Sequence, residues 1–225
     1  GKEILMSSRY ETVGEVCLGL TRVLEEMEEP ELLAVARLLS QRLTAPQAFI
    51  TAVGETSTGK STLINGLLQE AILPTAASPT TGTVTQVVCL KTAETRFLAI
   101  NRDGTQEELT LEDFRELAVR PDPDLLRLQL RTEPRSRAYD GFNVIDTPGY
   151  NALLAEHEEI LRRCLPESDV VLFVAGYRTG FGQPDQDLFE VVRTATARDE
   201  TIPYLLVINR VPEGVGLSDR RVQEI

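Results

Sequence analysis

One eight-residue segment restricts the possible folds of this chain more than any other feature. Residues 54–61 read Gly-Glu-Thr-Ser-Thr-Gly-Lys-Ser and match the pattern G-x-x-x-x-G-K-[ST] at every position. The apolar run Ala48–Val53 precedes the segment and is typical of a buried strand. A helix is predicted to begin at Gly59 or Lys60 and to end near Leu68. A glycine-rich loop between a strand and a helix points backbone amides at an anion, so the segment predicts a phosphate-binding loop.

The residues of this loop have separate predicted tasks. Gly54 and Gly59 let the backbone wrap around phosphate oxygens at little steric cost. Lys60 is expected to reach the β- and γ-phosphates as a catalytic residue, and the Ser61 hydroxyl is expected to bind Mg²⁺. The other nucleotide-binding candidates here are Glu55, Thr56, Ser57, Thr58 and Thr62. The segment therefore predicts a site for a nucleoside triphosphate and Mg²⁺.

A second motif follows another predicted strand, at residues 142–145. Residues 146–149 read Asp-Thr-Pro-Gly. An aspartate at the C-terminal end of a second strand is what a phosphate-loop enzyme uses to hold Mg²⁺, so Asp146 is a metal-ligand candidate. The Gly149 amide is predicted to sense the γ-phosphate and is a catalytic candidate. A lone motif of this kind is an ordinary turn, but together with the phosphate loop it is a strong indication of a nucleoside triphosphatase site.

A further metal-binding hydroxyl is expected from the loop between the two motifs. Residues 73–85 are rich in threonine. We select Thr81 as both metal ligand and catalytic residue, with Thr80 as the alternative. Because the segment also leads into a predicted strand, an ordinary surface loop is an equal interpretation for any one of these threonines.

Base recognition is less regular. Residues 209–212 read Asn-Arg-Val-Pro, whereas GTP-binding proteins usually have [NT]-K-x-D, whose aspartate binds guanine. Asn209 and Arg210 are retained as nucleotide-binding candidates, with the Arg210 stem covering the base. Pro212 stands at the aspartate position and cannot make that contact, while Glu213 is an alternative acceptor. The prediction of GTP therefore depends on the Asp-Thr-Pro-Gly motif and on the order of the motifs.

Predicted strands and helices alternate along the chain. Further strands are predicted at 83–91, 95–101, 126–130, 142–145, 169–175 and 204–208, and further helices at 110–119, 152–165 and 184–196. Strand 126–130 is expected to be half-exposed and strand 204–208 to be buried. The alternation predicts an α/β fold: a P-loop NTPase with a doubly wound, mostly parallel sheet and helices on both faces.

The first part of the chain has a different pattern. Residues 1–46 are predicted to form a helical hairpin that precedes the nucleotide domain at 47–225. Apolar residues recur at helical spacing in its first helix: Tyr10, Val13, Cys17, Leu20, Leu24 and Met27. Packing of this stripe within the chain is favoured, with a partner as the alternative. Residues 218–225 resemble the start of a helix, and the nucleotide domain is expected to be truncated before its last strand and helix.

Charge and cysteine usage narrow the classes of partner. The chain has 23 Lys and Arg against 35 Asp and Glu, a formal net charge of −12. So acidic a chain repels polyanions, and no nucleic-acid partner is predicted. The three cysteines show no metal-ligand spacing and are typical of reduced thiols, so a cytoplasmic protein is predicted.

Together these residues resemble the dynamin-like large GTPases, especially the bacterial members and the mitofusins. The resemblance covers residues 49–210. Thr56 and Ser57 ahead of Thr-Gly-Lys-Ser-Thr are similar to the mitofusin loop, and residues 79–81, Pro-Thr-Thr, resemble the family's first switch. The long insertion at 105–134 before the second motif is also typical of the family.

The resemblance implies a GTPase that converts GTP to GDP with Mg²⁺ and remodels membranes. It implies that Ser57 arranges phosphates and the catalytic water in a homodimer or oligomer formed through the nucleotide-binding face. Thr56 lies where some members have a catalytic glutamine. Membrane contact, and with it peripheral membrane association, would involve segments outside these 225 residues. Two alternatives remain: a soluble GTPase switch that acts by partner binding, and a nucleotide-binding module with little turnover and relaxed base preference.

Overall fold

A computed structural model gives the structure of the chain for most of the predicted nucleotide domain. It describes residues 15–27, 32–33, 36, 40, 47–75, 83–91, 93–120, 122–150, 155–196 and 202–225. The predicted switch residues Thr80 and Thr81 lie outside the described residues.

The described strands form one sheet. In chain order they are β1 (Ala48–Val53), β2 (Thr85–Cys89), β3 (Arg96–Asn101), β4 (Gln106–Leu109), β5 (Leu125–Thr132), β6 (Phe142–Asp146), β7 (Val170–Gly176) and β8 (Tyr204–Asn209). The sheet has eight strands in the order β4-β3-β5-β2-β6-β1-β7-β8. The pairs β2–β5, β1–β6, β1–β7 and β7–β8 are parallel, whereas β3–β4, β3–β5 and β2–β6 are antiparallel. The sheet is therefore mixed and mostly parallel.

Helices cover both faces of this sheet. The covering helices are α1 (Lys60–Leu68), α2 (Leu111–Val119), α3 (Ala155–Cys164) and α4 (Gln183–Thr196), and a 3₁₀ turn at Leu165–Glu167 follows α3. A short helix without buried residues, α5 (Arg220–Glu224), follows β8. Ile64 of α1 and Phe114 of α2 pack in one core with Val87 of the sheet. Leu161 of α3 and Leu188 of α4 pack in another core on the opposite face. The predicted doubly wound α/β fold is confirmed.

Strand β4 was absent from the predicted elements. It pairs antiparallel with β3 across the turn that contains Asp103 and Gly104. Its sequence, Gln-Glu-Glu-Leu, lies at the sheet edge, and Glu107 and Glu108 are exposed. Glutamate has a low strand propensity, so the sequence of β4 does not predict a strand. The strand forms because the turn brings these residues alongside the edge of β3.

The prediction that strand 126–130 is half-exposed is wrong. β5 lies between β3 and β2, and Gln129 is only 8% exposed. Its Nε2 donates to Gln86 Oε1 at 3.0 Å, and Gln86 Nε2 donates to Asn143 Oδ1 at 3.0 Å. Asn143 Nδ2 in turn donates to Gln47 Oε1 at 2.7 Å. A row of side-chain amides, which we call the amide ladder, therefore lets polar residues occupy a buried strand.

The prediction that strand 204–208 is buried is also wrong. Tyr204, Leu205 and Leu206 are 40%, 54% and 49% exposed. Within the described residues β8 is the edge strand and pairs only with β7. A wholly apolar run predicts a strand covered on both faces, and no periodicity in the run itself reveals an edge position.

The N-terminal segment agrees in part with its prediction. Residues 15–26 are helical, and Cys17 and Leu24 are each 8% exposed. Leu20 and Met27, from the same predicted stripe, are 45% and 62% exposed. Residues 32, 33, 36 and 40 are also helical, but the rest of the second helix lies outside the described residues. The hairpin and the boundary at residue 46 therefore stay predictions. Among the described helices, none has the length and apolar character that a membrane span requires.

Candidate nucleotide-binding site

The predicted site residues collect at one edge of the sheet. β6, β1, β7 and β8 are neighbouring parallel strands, so their carboxyl ends lie side by side. The phosphate loop follows β1, the Asp-Thr-Pro-Gly motif begins at the end of β6, and Asn209 ends β8. Ligands of open α/β sheets bind outside the carboxyl ends of the strands, so this edge is the candidate site.

Both glycines of the phosphate loop are required by their surroundings. Gly54 has a φ of 155° and Gly59 a φ of 95°, values that residues with a side chain rarely adopt. A Cβ added at Gly54 would lie 2.3 Å from the Val174 carbonyl oxygen. A Cβ at Gly59 would lie 2.3 Å from Asn209 Nδ2. The loop therefore passes so close to β7 and β8 that a larger residue would displace it.

Lys60 is buried inside this loop, with 5% of its surface exposed. Its Nζ donates to the carbonyl oxygens of Gly54 at 3.0 Å and Glu55 at 2.9 Å. Burial lowers the pKa of Lys60 to about 8, although the charges of Asp146 and Glu55 act in the opposite direction. The ammonium is thus held in place beneath the loop, where a bound anion would stabilise its charged form.

Ser61 and Asp146 join the two motifs. The Ser61 hydroxyl donates to Asp146 Oδ2 at 2.5 Å. Asp146 is 1% exposed, and its Oδ1 has no hydrogen-bond partner among the described residues. Burial raises the pKa of Asp146 to about 6, against the lowering effects of the Ser61 hydrogen bond and of Lys60. A buried carboxylate oxygen without a partner, beside a hydroxyl, is an arrangement that a cation would complete.

The set of protein oxygens at this position is small. Among the described residues, no group of three or more His, Cys, Asp or Glu side chains is placed to hold a metal ion. A metal beside Ser61 and Asp146 would therefore take its other ligands from phosphate oxygens and water, as Mg²⁺ commonly does.

Two contacts that the sequence patterns did not predict fix the second motif against β1. The Thr147 hydroxyl is buried and donates to the Ala52 carbonyl at 2.8 Å. The Tyr150 amide donates to the Gly54 carbonyl at 3.0 Å. The threonine is part of the Asp-Thr-Pro-Gly pattern, which is the available signal for the first contact. The second is a backbone contact, for which residue type gives no signal.

Gly149 lies directly against Thr56 of the phosphate loop. The Thr56 hydroxyl donates to the Gly149 carbonyl at 3.3 Å. A Cβ added at Gly149 would lie 2.5 Å from Thr56 Cα and 2.9 Å from its backbone nitrogen. Only a residue without a side chain allows this approach, so the glycine sets the distance between the two motifs.

Replacement of Gly149 by alanine is expected to lower GTP turnover at least about tenfold, because the new Cβ displaces the motif and its amide. GDP affinity should stay within about threefold, because GDP has no γ-phosphate for that amide to contact. Steady-state hydrolysis and GDP titration measure the two effects. Gly66→Ala is the matched control, because a Cβ at Gly66 of α1 meets nothing within 4 Å. Full turnover in Gly149→Ala would contradict the assigned role of this glycine.

Asn209 connects the end of β8 to the phosphate loop. Its Nδ2 donates to the Thr58 carbonyl at 2.9 Å, and its Oδ1 accepts the Arg210 amide at 2.8 Å. Arg210 has a φ of 59°, and its Nε would lie 3.8 Å from a Cβ at Gly59. The Arg210 side chain therefore lies beside the loop. Pro212 is exposed at the start of the turn beyond.

Asp185 is a buried carboxylate that sequence patterns did not select. It is 3% exposed, its Oδ2 accepts the Gly182 amide at 3.0 Å, and its Oδ1 has no partner among the described residues. Burial raises its pKa, and burial together with the Asp185 charge raises the pKa of Glu55. A carboxylate hydrogen-bonded to an amide three residues earlier is typical of a helix start, which explains its position at the beginning of α4.

The structure brings most of the predicted site residues together at this edge: Gly54, Glu55, Thr56, Ser57, Thr58, Gly59, Lys60, Ser61, Asp146, Gly149, Asn209 and Arg210. Thr62 is exposed on the first turn of α1. Ser57 has a φ of 64°, a left-handed conformation at the tip of the loop. Fold and site define a phosphate-loop nucleotide-binding domain.

Comparison with known proteins specifies the family. Residues 50–210 match the dynamin family model, which is more than half of the chain, and the chain belongs to the dynamin family. A chain in a solved structure of an oligomerised bacterial dynamin pair has a TM-score of 0.52 at 14% identity. That match covers 92% of this chain and 41% of the other, and it supports the fold.

Curated relatives agree with this assignment. Mitofusin-2 of Rattus norvegicus is 26% identical over 184 residues, which is 79% of this chain and 23% of the relative. Dynamin-like protein A of Bacillus subtilis is 26% identical over 191 residues, or 84% of this chain and 15% of the relative. The chain spans between 13% and 42% of the length of the curated relatives it matches.

Proposed function

We propose that this domain binds GTP with Mg²⁺ and hydrolyses it to GDP. The observation that carries the proposal is the direct junction of the two motifs, in which the Ser61 hydroxyl lies 2.5 Å from Asp146 Oδ2. A phosphate loop beside a buried strand-end aspartate supplies the parts that phosphoryl transfer requires. Family membership supports guanine as the base.

Lys60, Ser61 and Asp146 have the primary roles in this proposal. Lys60 binds the β- and γ-phosphates through an ammonium that the loop carbonyls already position. Ser61 and Asp146 would hold Mg²⁺, and the Asp146 Oδ1 without a partner among the described residues supports this assignment. The ion would supply positive charge that stabilises the charge developing during transfer.

Three further residues complete the proposed catalytic set. The Gly149 amide senses the γ-phosphate, and the Thr56 contact supports its position next to the loop. Ser57 arranges phosphates and water, for which its left-handed backbone at the loop tip is the supporting observation. Thr81 would be a further ligand of the metal, and its position shortly before β2 in the chain supports that role.

Guanine selection is the part of the proposal with fewest direct contacts. Asn209 supports the base site by fixing the end of β8 to Thr58 of the loop. Arg210 covers the base plane, and Glu213 is the proposed acceptor for the guanine N–H groups in place of the usual aspartate. The exposed Pro212 favours a second candidate function, a nucleotide-binding module with relaxed base preference and little turnover.

Calorimetric titration with non-hydrolysable GTP and ATP analogues distinguishes these two functions. Preference for the GTP analogue of at least about tenfold is expected, equal to about 1.4 kcal/mol. Glu213→Gln should reduce that preference and leave affinity for the ATP analogue unchanged. Equal binding of both analogues with negligible GTP turnover would favour the second candidate.

The cellular work is proposed from the relatives. We propose that the domain self-associates through its nucleotide-binding face and acts in the cytoplasm, with peripheral membrane association through segments outside these 225 residues. The support is a structure described as an oligomerised bacterial dynamin pair for sensing and tethering membranes. The net charge of −12 argues against direct contact between this domain and an anionic lipid surface. GTP-dependent dimerisation, measured by light scattering, tests the first part.

A further inference from the structure

A cavity of about 420 Å³ lies between α3 and the sheet. Its walls come from the residues just before β2, from the start of β5, from α3 and from the 3₁₀ turn that follows α3. None of its lining residues belongs to the phosphate loop or to the Asp-Thr-Pro-Gly motif. Cavities that bind small molecules usually have volumes from about 300 to 1,000 Å³, so a compact ligand fits this one.

Three arginines line this cavity: Arg102, Arg127 and Arg163. Three carboxylates, Asp122, Glu159 and Glu167, line it as well, so the arginines attract an anion only where these carboxylates leave N–H donors available. A guanidinium group has five N–H donors in a rigid plane that matches phosphate and carboxylate oxygens. Any guanidinium donors that remain available favour an anionic occupant.

The acidic residues of the lining leave part of that positive charge available. Arg127 Nη1 lies 3.5 Å from Glu167 Oε2, and both side chains are 17% exposed, so these two neutralise each other in a protected pair. Arg163 Nη2 lies 3.1 Å from Glu159 Oε1, but the Glu159 side chain is 72% exposed. An exposed pair contributes about 0–1 kcal/mol, so a ligand anion can displace Glu159 at little cost.

Arg102 is also positioned for a ligand. Its Nε donates to the Pro123 carbonyl at 3.0 Å, which holds the guanidinium group at the cavity wall and leaves its other donors available. Asp122 also lines the cavity; its Oδ1 accepts the amide of Asp124 at 2.8 Å, which holds the carboxylate in that turn but leaves its charge in place. Arg102 and Arg163 therefore line the same cavity, and each has N–H donors beyond the contact named here.

Apart from Thr83, the rest of the lining is apolar. Ile160 and Cys164 of α3 face Val84, and both Val84 and Cys164 pack in the core around Phe49. Burial raises the pKa of the Cys164 thiol to about 12, so it stays protonated and behaves as an apolar surface. The lining combines cationic groups with an apolar surface, and a ligand should combine an anionic group with an apolar body.

We propose that this cavity is a second ligand site, which binds a small organic phosphate through Arg102 and Arg163 and receives its apolar part against α3. Two segments of the cavity wall lie close in the chain to residues of the proposed nucleotide-binding site. Thr83 of its wall directly follows the segment that contains Thr81, and α3 follows the segment after Gly149. An occupant therefore contacts elements that continue from the proposed metal ligand Thr81 and from the proposed γ-phosphate sensor Gly149.

Phenyl phosphate is a suitable probe, titrated calorimetrically into protein saturated with GDP and Mg²⁺ so that the phosphate loop is filled. We expect one saturable site, which Arg102→Gln and Arg163→Gln each weaken about tenfold, the effect of losing a charge-assisted hydrogen bond. Inorganic phosphate, which lacks the apolar part, should bind about tenfold more weakly than phenyl phosphate. Arg127 is left intact, because its removal would break the protected ion pair with Glu167.

Arg193→Gln is the matched control, because Arg193 pairs with Glu190 on α4 and is not part of the cavity lining. Thermal melting verifies that each variant is folded. Absence of saturable binding would overturn the proposal, as would binding that both cavity variants leave unchanged or that Arg193→Gln weakens equally. If the protein does not bind GDP, the same titration without nucleotide still tests the cavity through its dependence on Arg102 and Arg163. Failure of the GTPase proposal is therefore distinguishable from failure of this one.

Discussion

Lys60→Ala is expected to weaken binding of a GTP analogue at least about a hundredfold. The substitution removes the proposed charged contacts to two phosphates, each worth about 1.5–3 kcal/mol. It also removes the bonds from Nζ to the carbonyls of Gly54 and Glu55, which hold the loop in its binding conformation. Calorimetric titration with the analogue and Mg²⁺ measures the loss directly.

Lys91→Ala is the control for this experiment, because Lys91 is an exposed lysine after β2. It should bind the analogue like the wild type. The Lys60→Ala protein should also keep a similar melting temperature. Burial of the ammonium is unfavourable, as the lysine pKa of about 8 indicates, and the substitution removes this cost. A folded Lys60→Ala protein that retains wild-type affinity would contradict the proposed phosphate site.

Asp146→Asn is expected to lower Mg²⁺-dependent hydrolysis at least about a hundredfold, because a neutral amide replaces the proposed anionic metal ligand. The folded protein should not be destabilised. The pKa of the Asp146 carboxyl is raised from its ordinary 3.8 to about 6. Between these two pH values the folded state therefore keeps a proton that the unfolded state has released. The stability linked to this group is therefore present below pH 3.8 and is lost as the pH rises to about 6.

Two measurements separate the catalytic and the stability effects of this variant. Hydrolysis is measured over a range of Mg²⁺ concentrations, and melting is measured without metal or nucleotide at several pH values. The difference in melting temperature between Asp146→Asn and the wild type should move in favour of the variant as the pH rises. Asp187→Asn, at an exposed aspartate of α4, should change neither. Wild-type Mg²⁺ dependence in Asp146→Asn would exclude this carboxylate as a ligand.

Much of the fold could be predicted because its signals are local. The bounds of β1 match the prediction at both ends, since an apolar run stops where the phosphate loop begins. Helix α1 begins at Lys60 and ends at Leu68, as its motif requires. Asp146 ends β6 as predicted. In each case residue type, spacing and the neighbouring elements indicate the same structure.

The parts that were missed depend on contacts between distant segments. The exposure of Leu205 and Leu206 is decided by the edge position of β8, which its own sequence does not encode. The burial of Gln129 depends on amide partners in other strands. The contact of Thr56 with Gly149 spans 93 positions, and neither residue type predicts it. The role of Thr81 remains a prediction, because that residue lies outside the described part of the chain.

The amide ladder restricts the register in which the central strands of the sheet can pair. Apolar side chains tolerate many neighbours, whereas each amide of the ladder must meet a group of the opposite hydrogen-bonding character. Gln86 stands opposite Gln129 across β2 and β5, and a shift of one residue would turn Gln129 towards the apolar core on the other face. Each buried amide without a hydrogen-bond partner destabilises the folded state by about 1–3 kcal/mol, so pairings in a shifted register are less stable. The ladder thus specifies the register of the strands that support the nucleotide site.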